Sequence, residues 1–335
     1  MSMDIEQQAK AFAETVVKLK AEIGKVIVGH GEIVDKTLIG FVTGGHILLE
    51  GVPGLGKTML VRTLADAVEV TFSRIQFTPD LMPADITGTN IVVEEDGRRR
   101  FEFQKGPIFG NIILADEINR ATPKTQSALL EAMQEGSVTF AGHTFRFEQP
   151  FFVLATQNPI EMEGTYPLPE AQLDRFMFKL DVKSPSVAEL ASIFEGTTGA
   201  EKKQAGKVVD GKRILEMRAL AEQVPIAQHL NEYVARIVLA THPESPEAAG
   251  IVKQFVRVGS SPRGGQAIIK GAKMVALARG RYNVSADDIR ECAFPALRHR
   301  LILNFEGEAE GIKPDEVIAK VLEHVPDIPE RVRRL

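Results

Sequence analysis

The run "HILLE" at 46–50, followed by "GVPGLGKT" at 51–58 and the helical "MLVRTLADAV" at 59–68, decides the fold. A short apolar strand, a glycine-rich turn and a helix in immediate succession complete the full G-x-x-x-x-G-K-[ST] pattern in the setting that gives it meaning. The backbone of Gly51, Val52, Pro53, Gly54, Leu55 and Gly56 would curl around phosphate oxygens, and the helix that follows turns its positive end toward them. Lys57 would reach the β- and γ-phosphates of a nucleotide, and the Thr58 hydroxyl a Mg²⁺ ion.

Outward from this loop, four more short apolar runs read as strands: "TFSRIQF" at 71–77, "NIILAD" at 111–116, "FFVLATQ" at 151–157 and "FMFKLDV" at 176–182. Helical patterns separate several of them, which is how strands buried on both faces of a parallel sheet read. In "RATPKTQSALLEAMQEG", Thr122 suits an N-cap, Pro123 the first helical position and Gly136 a left-handed stop, with Leu129 and Met133 on one face. Two stretches break the α/β rhythm as hairpins. One spans 90–103 around Asp96-Gly97, a dipeptide that favours a two-residue type I′ turn, and the other spans 137–147, closing on Ala141, Gly142 and His143. Neither is large enough to be stable alone, so each must lean on the main domain or on another subunit.

After Pro185 the strand signals stop. A polar stretch at 195–212 reads as a linker, and 227–242, 264–281 and 285–301 carry helical periodicity. The expected organisation is an α/β nucleotide-binding core over 1–184, with an N-terminal helix and the two hairpins, and an all-helical domain over 185–335.

The composition is that of an ordinary globular protein, 335 residues with 44% hydrophobic and 25% charged, and a formal net charge of -5 gives no overall pull toward nucleic acid or an anionic membrane. No run approaches the roughly 18 apolar residues of a membrane helix, and the charged N-terminal stretch lacks a signal core, so a cytoplasmic location is the expectation. The single cysteine, Cys292, lies among helical residues and reads as a small buried thiol.

Two further strand ends carry chemistry. "NIILADEIN" delivers Asp116 and Glu117 side by side, one carboxylate for Mg²⁺ and the next to activate water. "FFVLATQNP" brings Asn158 to the same edge of the sheet, where its amide can orient the attacking water even as Asn158 opens the turn that Pro159 enforces.

These motifs together, with "LPEAQLDRF" at 168–176, "GSSPRGGQ" at 259–266 and the specific run "DEINRATPKTQSALLEAMQEG" at 116–136, closely resemble a MoxR-type AAA+ ATPase over nearly the whole chain. The resemblance implies a five-stranded parallel AAA+ core, a helical lid, and a ring that is usually a hexamer. The hairpins would correspond to the helix-2 insert and pre-sensor-1 insert shared with magnesium-chelatase and MCM ATPases. It implies that Arg175 is an arginine finger entering a neighbour's site and that Arg263, which "SSPR" sets at the start of a lid helix, is sensor 2. It also implies that "VIVGHGEIV" at 26–34 is the adenine pocket, with backbone contacts from Val28 and Gly29, since many relatives have Gln where His30 stands.

By the same resemblance, ATP bound with Mg²⁺ is hydrolysed to ADP in assembled oligomers, to remodel or mature a client protein with the help of a von Willebrand factor A-domain partner. Two other readings are a ring-forming nucleic-acid motor and a nucleotide switch with little turnover. The motor would use the cluster Arg98, Arg99 and Arg100, but no aromatic platform or wider basic stripe accompanies it, and Glu94 and Glu95 across the turn can pair with it.

Overall fold

The computed structural model describes residues 5–51, 56–95, 98–159, 164–198 and 203–327. Five parallel strands form the central sheet: β1 (Ile47–Glu50), β2 (Phe72–Gln76), β5 (Ile112–Asp116), β8 (Phe152–Gln157) and β9 (Phe178–Asp181), in the spatial order β2-β5-β8-β1-β9. Every strand expected from the apolar runs is present. Strand alternation sorts the sheet's side chains into two cores. Ile47, Leu49, Ile112, Leu114, Phe152 and Leu154 pack on one face, and Leu48, Ile113, Ala115, Val153 and Ala155 on the other.

The first face is covered by α1 (Ile5–Val26), α2 (Gly31–Thr43) and α3 (Lys57–Val68). In α1, Ala9, Phe12, Val16, Leu19 and Ile23 are buried, a spacing of three and four residues that lays one apolar stripe along the helix. The second face is covered mainly by α5 (Pro123–Glu135), which follows the short α4 (Pro83–Thr87). Thr122 takes the N-cap position of α5, though its hydroxyl contacts Thr125 Oγ1 rather than a helix N–H, and Gly136 ends the helix at φ 61°.

The two insertions are antiparallel hairpins, β3 (Gly88–Glu95) with β4 (Arg98–Lys105), and β6 (Ser137–Phe140) with β7 (His143–Arg146). The first is longer than 90–103 by two residues at each end; its register pairs Glu95 with Arg98, and Asp96-Gly97 between them lies outside the described residues. Glu94 faces Arg99 at 3.7 Å, the expected cross-strand ion pair. In the second, the turn is Ala141-Gly142 alone, at φ 47° and 81°, and His143 belongs to β7. Two consecutive positive φ values are what a two-residue turn needs to match strand twist, so the loop is one residue tighter than its sequence suggests. The hairpins lean on each other: the Phe103 ring stacks on Phe145 at 4.3 Å and lies 5.5 Å from Phe140, and Phe109, Phe147 and Phe151 continue the aromatic row toward His46.

The chain then passes through α6 (Glu170–Leu173), α7 (Val187–Thr198), α8 (Gly211–Gln223), α9 (Gln228–Ala240), α10 (Gly250–Phe255), α11 (Pro262–Ala278), α12 (Ala286–Leu297), α13 (Phe305–Ala309) and α14 (Pro314–His324). The segment 195–212 is not linker throughout. Helix α7 continues to Thr198, and α8 starts at Gly211 because Asp210 caps it, accepting from Arg213 N–H at 2.8 Å. Nor is the second half wholly helical. β10 (Val256–Val258) and β11 (Ile302–Leu303) pair antiparallel, two segments too short to show alternation in sequence. The lid packs on the same side of the sheet as α1 to α3, sharing their core. The buried Lys36 of α2 reaches Glu291 of α12 at 2.6 Å, and Cys292 beside it is fully buried, its thiol pushed up to about 12 by desolvation.

Candidate active site

The carboxyl ends of β2, β5 and β8 and the start of α3 enclose a cavity of about 400 Å³, lined by Gly56, Lys57, Thr58, Arg74, Gln76, Asp116, Glu117, Thr156 and Asn158. Ligands of open α/β sheets gather at this end of the strands, and the first turn of α3 turns its unpaired N–H groups into the cavity's side. Gly56 caps α3 at φ 73°, which an L side chain rarely adopts, and a side chain on Gly51 would strike Val182, with a Cβ only 2.8 Å from that residue's Cβ. Val52, Pro53, Gly54 and Leu55 lie outside the described residues.

Lys57 donates to the Gly51 carbonyl at 2.5 Å. Burial lowers its pKa from the usual lysine value, opposed by the charges of Asp116, Glu117 and Glu50. Asp116 is held on both oxygens: the Thr156 hydroxyl donates to Oδ1 at 2.7 Å, and Arg74 donates to Oδ2 from Nη2 at 2.6 Å and Nε at 3.2 Å. Glu117 has a left-handed backbone, φ 57° and ψ 50°. Its N–H donates to Thr156 Oγ1 at 2.8 Å, and Oε2 of its carboxylate accepts from Gln76 at 2.9 Å and Arg120 at 3.1 Å. One hydroxyl on β8 thus fixes the spacing between the two acids. Asn158 is buried on the same wall.

Residues Arg74, Gln76, Thr156 and Arg120 do not announce themselves in the sequence. The only signal is the alternation in "FSRIQF", which puts Arg74 and Gln76 on one face of β2, and register does the rest by setting Gln76 opposite Asp116.

Other candidate residues sit away from this cavity. Val28 and Gly29 lie between α1 and α2, with Gly29 at φ 73° and Glu189 of α7 so close that a Cβ on Gly29 would lie 2.9 Å from its carboxylate. Glu189 is kept below the usual carboxylate range, first by the Ser186 N–H at 2.7 Å and then by the Ser186 hydroxyl. Arg175 follows α6 in a turn, half-buried, and among the described residues its guanidinium makes no hydrogen bond or ion pair. Arg263 opens α11 where Ser261 caps it, the Ser261 hydroxyl accepting from Arg263 N–H at 3.2 Å, and its Nη1 lies 3.8 Å from Asp174.

Among the described residues no group of three or more His, Cys, Asp or Glu side chains could cage a metal. One carboxylate, Asp116, and one hydroxyl, Thr58, on the wall of a phosphate-sized cavity match an ion that keeps most of its shell as water and phosphate oxygen. The residues fit Mg²⁺.

Comparison with known proteins agrees with this geometry. Residues 46–178 match the model of the ATPase family associated with various cellular activities (AAA), and 248–321 match the AAA lid domain. The chain is 46% identical to Chaperone MoxR1 of Mycobacterium tuberculosis, an alignment covering 94% of this chain and 83% of that one. It is 44% identical to the uncharacterized protein YeaC of Bacillus subtilis, covering 92% and 93%. A crystal structure of an ATPase candidate from Cytophaga hutchinsonii superposes with a TM-score of 0.89 at 42% identity, covering 96% and 97%. No helix among the described residues is long and apolar enough to cross a membrane. Sheet, lid and sequence together place the chain in the MoxR family of AAA+ ATPases.

Proposed function

We propose that this ATPase hydrolyses ATP at the cavity of Lys57, Asp116 and Glu117 and couples hydrolysis to remodelling or maturation of partner proteins, as a homo-oligomer, in the ring of six its family suggests. The observation that carries the reading is the convergence of a lysine, two tethered carboxylates and a helix N-terminus on one cavity.

In this reading Lys57 leaves the Gly51 carbonyl for the β- and γ-phosphates. Thr58 and Asp116 hold Mg²⁺, which when bound neutralises charge on the phosphate oxygens. Glu117, aimed by its backbone and by Gln76, takes the proton of the attacking water, and Asn158 orients that water. The Arg175 guanidinium has no hydrogen-bond or ion-pair partner among the described residues and serves the site of a neighbour, where a finger arginine adds ~10³ to 10⁵ in rate. Arg263 reaches the γ-phosphate when the lid closes. Val28 and Gly29 contact the adenine through their backbone.

The core is assigned to residues 1–184 and the lid to 185–335, in the cytoplasm. A von Willebrand factor A-domain partner rests on family resemblance alone, and a protein client on that resemblance together with the name of the chaperone relative. Nucleic acid is left aside, because Arg99 is paired to Glu94 and Arg100 to Glu102. The test compares wild type with Glu117→Gln at concentrations that favour assembly. Nucleotide binding should persist in the variant while turnover is lost; equal turnover in the two proteins would refute the enzyme.

A further inference from the structure

The guanidinium of Arg300, in the turn that follows α12, is almost fully buried, and most of its hydrogen bonds run to a single short segment. Its Nε donates to Asp174 Oδ1 at 2.8 Å, Nη2 to the carbonyls of Asp174 at 2.9 Å and Phe176 at 2.7 Å, and Nη1 to that of Met177 at 3.3 Å. Nη1 also donates to the Ala296 carbonyl of α12 and lies 2.8 Å from His299 Nε2. These acceptors bracket Arg175. The Arg175 backbone is closed from the other side by its N–H to Gln172 O at 3.2 Å, so the residue stands on a segment clamped before and after it while its side chain pairs with none of the described residues.

Asp174 is shared with the lid. The Ser261 hydroxyl donates to Oδ1 at 2.8 Å, and Arg263 stands 3.8 Å from Oδ2. The residue before the trans arginine is therefore tied to the N-cap and first turn of the helix that carries the cis arginine.

We propose that Arg300 is a positioning residue for ATP hydrolysis, fixing the segment 174–177 to the lid so that Arg175 is offered to the neighbouring site in one direction. The inference rests on the reading of Arg175 as a finger acting in trans. A planar fork with five donors can satisfy a carboxylate and several carbonyls at once, which a lysine ammonium cannot. Arg300→Lys thus keeps a positive charge beside Asp174 while losing the grip on the carbonyls around Arg175.

The experiment uses the assembled full chain. Arg300→Lys should keep affinity for a fluorescent ATP analogue within about threefold while kcat drops by roughly 10², the scale of a misplacement of about 1 Å. Mixed with an excess of Lys57→Ala subunits, whose own site is dead but whose Arg175 is intact, Arg300→Lys should regain activity as far as Arg175→Ala does in the same mixture. Asp174→Asn, nearly isosteric, should reproduce the loss of kcat and serves should Arg300→Lys not fold. If Arg175→Ala is rescued and Arg300→Lys is not, the positioning role fails and the finger stands. If Arg175→Ala is not rescued either, the finger reading falls and this inference with it. Loss of analogue binding together with kcat, or failure of both variants to fold, would make Arg300 merely structural and also overturn it.

Discussion

Arg74 on β2 and Asp116 at the end of β5 are joined across two neighbouring parallel strands, Nη2 lying 2.6 Å from Oδ2. The guanidinium occupies the one oxygen of Asp116 that Thr156 leaves over, so a cation approaching Asp116 competes with it. Arg74 is about half exposed, and an ion pair of that kind is worth ~0.2 to 1 kcal/mol. Arg74→Met should therefore lower the Mg²⁺ concentration for half-maximal ATPase activity by about twofold to fivefold. A Mg²⁺ titration at fixed ATP reads this directly, and an unchanged or raised midpoint would show that the pair does not guard Asp116.

His46 sits at the opposite end of the sheet, half-buried, its Nδ1 accepting from Val153 N–H at 3.0 Å and its Nε2 donating to the Met133 carbonyl at 3.2 Å. Desolvation pushes its pKa from 6.5 down to about 4. The unfolded chain binds the proton first, so the contribution of a neutral His46 is complete above pH 6.5 and is lost as pH falls toward 4. That window corresponds to about 3 kcal/mol at most. Urea unfolding at pH 7 and pH 4.5 should show a smaller difference in His46→Gln than in wild type; a residual slope is expected, because burial lowers His299 in the same direction.

The stacked pair Phe103 and Phe145 joins two hairpins that are otherwise separate two-stranded sheets. A double-mutant cycle with Phe103→Ala and Phe145→Ala should give a coupling of about 0.5 to 1.5 kcal/mol. Additive effects on the unfolding midpoint would mean that the inserts are anchored independently.

Gly271 lets α11 pass close to α12 and β9. A Cβ there would lie 2.8 Å from Cys292 Sγ and 2.9 Å from the Phe178 ring. Alanine is the better helix former by ~1 kcal/mol, yet overpacking costs ~1 to 3 kcal/mol, so Gly271→Ala should destabilise by about 1 kcal/mol. Cys292→Ala in the same chain should recover part of the loss in thermal unfolding; Phe178 accounts for the remainder.

Much of this fold is legible in the sequence because buried parallel strands are unbroken apolar runs: "NIILAD" and "FFVLATQ" have no other comfortable home. Asp116, Glu117 and Asn158 are legible for the same reason, since strand ends put them on one rim, while Lys57 and Thr58 are legible from the glycine-rich turn that opens α3. Arg74 and Gln76 are not, because β2 is an edge strand on which both are exposed, where a polar residue reads as solvated alternation until register sets it beside β5. Thr156 hides as an ordinary β-branched strand residue. The pair β10 and β11 is held by contacts between segments more than forty residues apart, and nothing local marks either one.

The left-handed backbone of Glu117 has a consequence for how this chain responds to selection for heat tolerance. A residue with a Cβ is strained at φ 57°, and relieving such strain with glycine or asparagine commonly raises stability. Random variants picked only for a higher melting temperature should therefore accumulate glycine at position 117, and those survivors should be the ones that no longer turn over ATP. At that position robustness and work pull the sequence in opposite directions.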